Sequence, residues 1–284
     1  MQPALPPDLA DQVRRALAED MGSGDLTAAL VPATQAARAT VMTRDDGVLC
    51  GRAWVEQVFH QLDPGIAIRW QANEGARISA GATLCELRGP ARPLLSGERT
   101  ALNFLQTLSA TASAARTYVQ AVAGTGARIL DTRKTIPGLR LAQKYAVRVG
   151  GAHNHRMGLF DAILIKENHI VAAGSISNAV HEARRRSPGV LLEVEVETLA
   201  QATEAFAAGA DRLLLDNFPL ERLRDAVRLR QTQAPRTGLE ASGGITLDNI
   251  RTIAETGVDF ISIGDLTKNL QALDLSMRFR FAAD

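Results

Sequence analysis

The chain carries 28 arginines but only four lysines, and three of those, Lys134, Lys144 and Lys166, fall between positions 134 and 169 beside His153, His155 and His169. Lysine supplies a compact, mobile point charge that the planar fork of arginine does not replace. Around these residues, polar groups recur where apolar runs end. They are Asp131-Thr132-Arg133-Lys134, Lys166-Glu167-Asn168-His169, Asp216-Asn217, Ser242-Gly243-Gly244 and Gly264-Asp265. Glu193, Glu195 and Glu197 share one face of a further run by the period of two. Arg133, Lys134, His155, Arg156 and Lys166 would make a cationic pocket suited to a small polyanion. Glu195 and Asp216 offer hard oxygens that suit Mg²⁺, directly or through water, and equally suit sugar hydroxyls. Gly243, Gly244 and Gly264, with a hydroxyl from Ser242 or Thr246, suit phosphate held by backbone N–H groups. Together these groups describe a site for a phosphorylated sugar beside an anionic second substrate. No Ser/His/Asp or Cys/His arrangement points to an activated nucleophile, and His153-Asn154-His155 lacks a third ligand for zinc.

The elements that must present these groups are legible as a repeat. Strand-like runs occur at 127–131, 162–166, 190–196, 212–216, 238–242 and 260–264, with helical patterns between them. This alternation predicts a parallel sheet, open or closed into a (β/α) barrel, whose functional groups sit past the carboxyl ends of the strands. Six strands fall short of the usual eight. The first half has another rhythm: an amphipathic helix over 8–20, short strand-like pieces over 36–90, and a helical stretch over 96–124 expected to break near Ser109. The hairpin-like EGARISAGATLCELRG resembles a biotinyl or lipoyl carrier, but residues 37–98 contain no lysine to carry the arm.

Composition narrows the class. Thirty-two basic side chains against 31 acidic ones exclude a general nucleic-acid-binding surface. No apolar stretch approaches the ~18 residues of a membrane span. Two cysteines, Cys50 and Cys85, are too few for a disulfide framework, so a reducing cytoplasm and half-buried thiols are expected.

The segment DTRKTIPGLRLAQKYAVRVGGAHNHRMGLFDAILIKENHI (131–170) closely resembles the signature of the quinolinate phosphoribosyltransferases, or nicotinate-nucleotide pyrophosphorylases (carboxylating). EDMGSGDLT, SGERTALNFLQTLSATAS, LEVEVET, LLLDNF, EASGGIT, TGVDFISIGDLTK and ALDLSMRF extend the likeness nearly end to end. Asp265 and Ala152 depart from it, standing where a small residue and a third glycine are usual. The resemblance implies an incomplete (β/α) barrel with an N-terminal α/β domain, the type II phosphoribosyltransferase architecture. On that pattern the N-terminal domain is residues 1–110, rejoined by 269–284, and the barrel is 111–268. It implies transfer of phosphoribosyl from 5-phosphoribosyl 1-diphosphate to quinolinate with loss of CO₂, in NAD biosynthesis, with Mg²⁺. It also implies a homodimer or dimer-based hexamer.

By the same resemblance, quinolinate lies among Arg133, Lys134, His155, Arg156 and Lys166, with Arg99 supplied by the neighbouring subunit. Glu195 and Asp216 meet the ribose and metal, and Ser242, Gly243, Gly244 and Gly264 meet the 5-phosphate. Thr132 and Ser262 complete the candidate contacts, with Lys134, Lys166, Glu195 and Asp216 expected to carry the chemistry. Two other readings use the same residues: a phosphoribosyltransferase for another aromatic acid such as nicotinate, and a non-catalytic phosphate-sugar-binding protein. The doubled arginine–lysine cluster favours a dicarboxylate, and the joint presence of Lys134, Lys166, Glu195 and Asp216 favours catalysis.

Overall fold

Ala37, Ala39, Val41 and Thr43 are buried while the residues between them are more open, so Ala36–Thr43 forms a strand, β1, with one face on a core. The computed structural model describes residues 3–281; residues 1–2 and 282–284, at the ends of the expected N-terminal domain, lie outside the described residues. Before β1 come α1 (Leu9–Met21) and a 3-10 turn, and after it β2 (Gly47–Val48), α2 (Arg52–Leu62), β3 (Ala67–Trp70), β4 (Arg77–Ile78), β5 (Thr83–Pro90) and α3 (Ala91–Ala121). The second half runs β6 (Arg128–Leu130), α4 (Arg140–Val149), β7 (Ile163–Ile165), α5 (Glu167–Ala173), α6 (Ile176–Arg186), β8 (Leu192–Val196) and α7 (Leu199–Ala208). It ends with β9 (Arg212–Asp216), α8 (Leu220–Gln233), β10 (Gly238–Ser242), α9 (Ile250–Ala254), β11 (Phe260–Ser262), α10 (Asp265–Lys268) and β12 (Leu275–Phe281).

Two compact units result. One contains the chain up to Arg116, Thr135–Gly151 and the chain from Leu266 onward; the other contains Thr117–Lys134 and Ala152–Asp265. In the N-terminal unit, β12, β1, β5 and β3 form an antiparallel sheet in that order, with the C-terminal strand paired to β1 from Ala37↔Phe281 to Thr43↔Leu275. Its core holds Trp54, Phe59, Leu84, Leu87, Leu102 and Leu105. The Trp54 indole N–H donates to the side-chain amide oxygen of the buried Gln12 at 2.9 Å, so the largest core side chain leaves no orphan polar atom of its own.

The helix expected to break near Ser109 does not. It runs unbroken to Ala121, because the buried Ser109 hydroxyl turns sideways. It accepts from the Cys50 N–H at 2.9 Å and donates to the Cys50 carbonyl at 3.1 Å, serving a loop that lacks ladder partners. Cys50 and Cys85 are fully buried free thiols rather than half-buried ones. Residues 135–151, placed with the barrel by the sequence pattern, cluster instead with the N-terminal unit. Ala142, Tyr145, Ala146 and Val149 of α4 join its apolar core, with the Tyr145 ring tilted on Trp54 at 5.3 Å. Gly150 closes this packing: an added Cβ would meet the Ala112 carbonyl oxygen at 2.5 Å and the Ala115 methyl at 2.6 Å.

The second unit is a six-stranded parallel sheet in the order β6-β11-β10-β9-β8-β7. Five strands follow one another in space as in sequence, and β6 takes the far side of β11. This is the order of a (β/α) barrel left open between β6 and β7, not a closed one. Leu192, Val194, Val196, Leu213, Leu215, Leu239 and Ile261 are buried, as a parallel sheet covered by helices requires. The covering helices are capped by their own sequence. Ser175 accepts from Asn178 N–H at α6, and Thr198 with Gln201 makes a reciprocal capping box at α7. Arg184, Arg185 and Arg186 fill the last turn of α6, where cations suit the helix dipole, and Arg185 and Arg186 pair with Glu182. No helix among the described residues is long and apolar enough to cross a membrane.

Candidate active site

The carboxyl ends of β6 to β11 carry the groups that the sequence pattern placed there, and the barrel unit sorts them by charge. On one side, β6 ends in the fully buried Asp131, whose carboxylate accepts from the His155 N–H at 2.8 Å and the Asn154 amide at 2.6 Å. A single parallel bridge between Leu130 and His153 extends this attachment, so the 153–156 segment lies beside β6. Arg156 is thereby brought to Arg133. Burial, and then the Arg133 charge, lowers the Arg156 guanidinium from its ordinary value. These two half-buried cations raise one another's cost, which an anion of more than one charge would relieve. Lys134 is exposed just beyond, its N–H donating to the Thr132 hydroxyl at 3.0 Å.

His155 is placed differently from its neighbours. Its Nδ1 accepts from the Arg156 N–H at 2.8 Å, which leaves the ring proton on Nε2. Nε2 lies 2.8 Å from the Glu193 carboxylate and 3.5 Å from that of Glu240, and the side chain is 9% exposed. Both ring nitrogens thus face protein groups, and His155 builds the floor under Arg156. Glu240 is completely buried; burial first, and then the Glu193 charge, push its carboxyl up to about 7. Glu193 is raised by burial as well. Arg212, 3.2 Å from Glu240 and stacked 4.0 Å over the Phe260 ring, supplies the counter-charge. The three groups His155, Glu193 and Glu240 have the spacing of a metal cluster, but the Arg212 guanidinium already provides the cation there.

The opposite side is acidic. Glu195 and Asp216 project from the adjacent parallel strands β8 and β9, in the register Glu195↔Leu214. Burial, and then the Glu195 charge, raise the Asp216 carboxyl, against the pull of Lys166, the Asn217 amide and Lys134. Lys166 forms an ion pair with Glu195, so a lysine meets the acidic pair. Its backbone N–H donates to His169 Nδ1 at 3.0 Å, giving His169 a local hydrogen-bonding role. At the next strand ends, Gly243 and Gly244 adopt left-handed conformations (φ +96° and +58°) in an exposed turn, with Ser242 before them. Ser262 is buried and bonds the Glu240 carboxylate, while Gly264 follows β11 at the surface of the same rim. Arg99 lies exposed on α3, in the N-terminal unit.

Comparison with known proteins decides what this constellation belongs to. Residues 25–109 and 111–278 match the N-terminal and C-terminal domains described as quinolinate phosphoribosyl transferase. The chain belongs to the quinolinate phosphoribosyltransferase family. A relative from Bacillus subtilis, a "probable nicotinate-nucleotide pyrophosphorylase [carboxylating]", is 42% identical over 91% of this chain and 89% of its own. The human nicotinate-nucleotide pyrophosphorylase [carboxylating] is also 42% identical, over 96% of this chain and 93% of its own. The solved nicotinate-nucleotide pyrophosphorylase from Francisella tularensis superimposes with a TM-score of 0.93 at 45% identity, covering 98% of each chain. The open six-stranded barrel and antiparallel N-terminal sheet are therefore the fold of this family.

Within that family fold, the barrel unit gathers Lys134, Lys166, Glu195 and Asp216 into one electrostatic group. Sequence reasoning overlooked Glu240, Arg212 and the depth of Glu193. A signal was present: Glu240 interrupts the apolar run GLEAS on the face of Ser242, and a charge mid-strand in a buried sheet demands a partner. The sequence marks Asn217 only as the strand-end neighbour of Asp216.

Proposed function

We propose that the chain transfers phosphoribosyl from 5-phosphoribosyl 1-diphosphate to quinolinate with decarboxylation, giving nicotinate mononucleotide, diphosphate and CO₂. The observation that carries this reading is the division of one barrel mouth into an arginine pair and a carboxylate pair, with Lys166 ion-paired across to Glu195. Quinolinate is a dianion at neutral pH, and guanidinium forks grip carboxylates with two parallel hydrogen bonds. Arg133 and Arg156 hold the ring so that its nitrogen faces the sugar. As the diphosphate departs from C1, positive charge grows on the ribose, and Glu195 and Asp216 stabilise it from their fixed positions. The ribosylated ring nitrogen is cationic, and its charge stabilises the electron pair left on the adjacent carbon when that carbon's carboxylate leaves as CO₂; a proton then adds to the carbon to complete the product.

Glu195 and Asp216 fit a Mg²⁺ ion, since two carboxylates that repel one another offer the hard oxygens such a cation takes. When bound, Mg²⁺ neutralises the charge of the leaving diphosphate. Incubation with Mg²⁺, phosphoribosyl diphosphate and quinolinate should release CO₂ and mononucleotide in equal amounts, and removing Mg²⁺ with a chelator should stop it. Turnover with nicotinate, and none with quinolinate, would overturn the reading.

The chain is further proposed to act in the cytoplasm, in keeping with two free buried thiols, and as a homodimer or dimer-based hexamer with Arg99 reaching the partner's pocket. The family likeness and the exposure of Arg99 on α3 support this. Arg99→Ala and Lys134→Ala proteins should each be inactive, yet recover roughly a quarter of wild-type activity after subunit exchange, because half the dimers are mixed and each keeps one intact site. Exchange without recovered activity would place Arg99 outside the partner's site.

A further inference from the structure

We propose that Asn217 is a positioning residue that locks the Asp216 carboxylate to the Gly243–Gly244 turn, so that one rigid unit receives the sugar and the 5-phosphate of the phosphoribosyl donor. Among the described residues Asn217 is the single non-glycine with positive φ, at +54°. A side chain in that region is uncommon and marks a conformation imposed by its surroundings, with asparagine tolerating it best. Three contacts impose it. The Asn217 N–H donates to the Ser242 carbonyl at 2.9 Å, joining the end of β9 to the end of β10. The amide nitrogen Nδ2 donates to Asp216 Oδ2 at 2.9 Å, fixing the plane of that carboxylate. The amide oxygen Oδ1 stands 2.1 Å from where a Cβ on Gly243 would be, so it occupies the space that the glycine leaves open. One carboxamide therefore touches the group assigned to the ribose and the turn assigned to the phosphate. It sets their separation without itself meeting the reacting atoms.

This inference rests on the proposed function for the identity of the donor, but its test is separable. Ribose 5-phosphate is used as the probe, titrated calorimetrically against the intact protein and two variants. Asn217→Gly keeps the left-handed backbone at no steric penalty and loses the carboxamide. Asn217→Asp keeps shape and backbone preference but sets a second carboxylate against Asp216. Both should weaken ribose 5-phosphate binding about tenfold or more, Asn217→Asp the more, while quinolinate affinity in the binary complex stays within about twofold. Under turnover the same variants should lose about a hundredfold in kcat with the quinolinate KM little changed, the signature of a misplaced donor. Thermal stability of Asn217→Gly should match wild type. Unaltered ribose 5-phosphate affinity in both variants, an equal loss for both ligands, or no binding by the wild-type protein would each overturn the inference. Absence of CO₂ release from the wild type, with ribose 5-phosphate still bound and still sensitive to Asn217, would instead overturn the proposed reaction and leave the positioning role supported.

Discussion

Arg156→Ala should weaken quinolinate binding by about 2–5 kcal/mol while leaving the affinity for phosphoribosyl diphosphate almost unchanged. The size of the effect follows from the setting. Arg156 is half-buried, donates to the Ala162 carbonyl at 3.3 Å and already stands against Arg133, so its charge is poorly solvated until an anion arrives. Removing it also relieves Arg133 of a like charge, which makes the remaining cation less eager for a second carboxylate. Arg156→Lys should recover only part of the loss, since an ammonium retains the charge but not the fork. Titration calorimetry of Arg156→Ala and Arg133→Ala with quinolinate measures this directly; wild-type affinity in both would remove the arginine pair from the binding site.

The second large effect is on stability. Glu240→Gln should match wild type in stability near pH 4, gain on it as the pH rises from about 4.5, and exceed it by the full amount above about pH 7. The folded chain holds the Glu240 carboxyl at about 7, above the ordinary 4.5, because burial and Glu193 both oppose its ionisation. The folded state thus keeps a proton that the unfolded state releases at lower pH. Stability from this group is full below the unfolded value and is lost as pH rises through about 7. The full difference corresponds to on the order of 3 kcal/mol. Glutamine mimics the protonated carboxyl, so the variant has nothing to lose over that window. Denaturant unfolding of both proteins between pH 4 and 9 reads the difference, and parallel pH profiles would show that Glu240 ionises as readily folded as unfolded.

What could be read from the sequence is what depends on local pattern. The apolar runs at 212–216 and 238–242 name their strands because a parallel strand covered on both faces is apolar almost throughout, and polar groups gather where it ends. That rule placed Lys134, Lys166 and Asp216 on one rim. The period of two put Glu193, Glu195 and Glu197 on one face, but it says nothing about depth. Depth comes from register: β9 sets Arg212 opposite Glu193, inside the barrel, whereas Glu195 lies two residues nearer the mouth. The same gap separates His155 as a member of a cationic segment from His155 as the floor beneath it, because its partners lie on β8 and β10, distant in sequence. The apolar stripe of α4 announced a helix with a buried face and could not say which unit it would cover. Ser109 looked like an interruption because its partner, the Cys50 backbone, lies 59 residues away. Asn217 acquires its left-handed backbone only when β9 and β10 are paired and Ser242 is there to accept its N–H. Composition and periodicity determined which residues reach the rim, since those are properties of neighbours along the chain. Which of them face a substrate, and which hold up the residues that do, was decided by strand register and long-range hydrogen bonds, which exist only once the chain has folded.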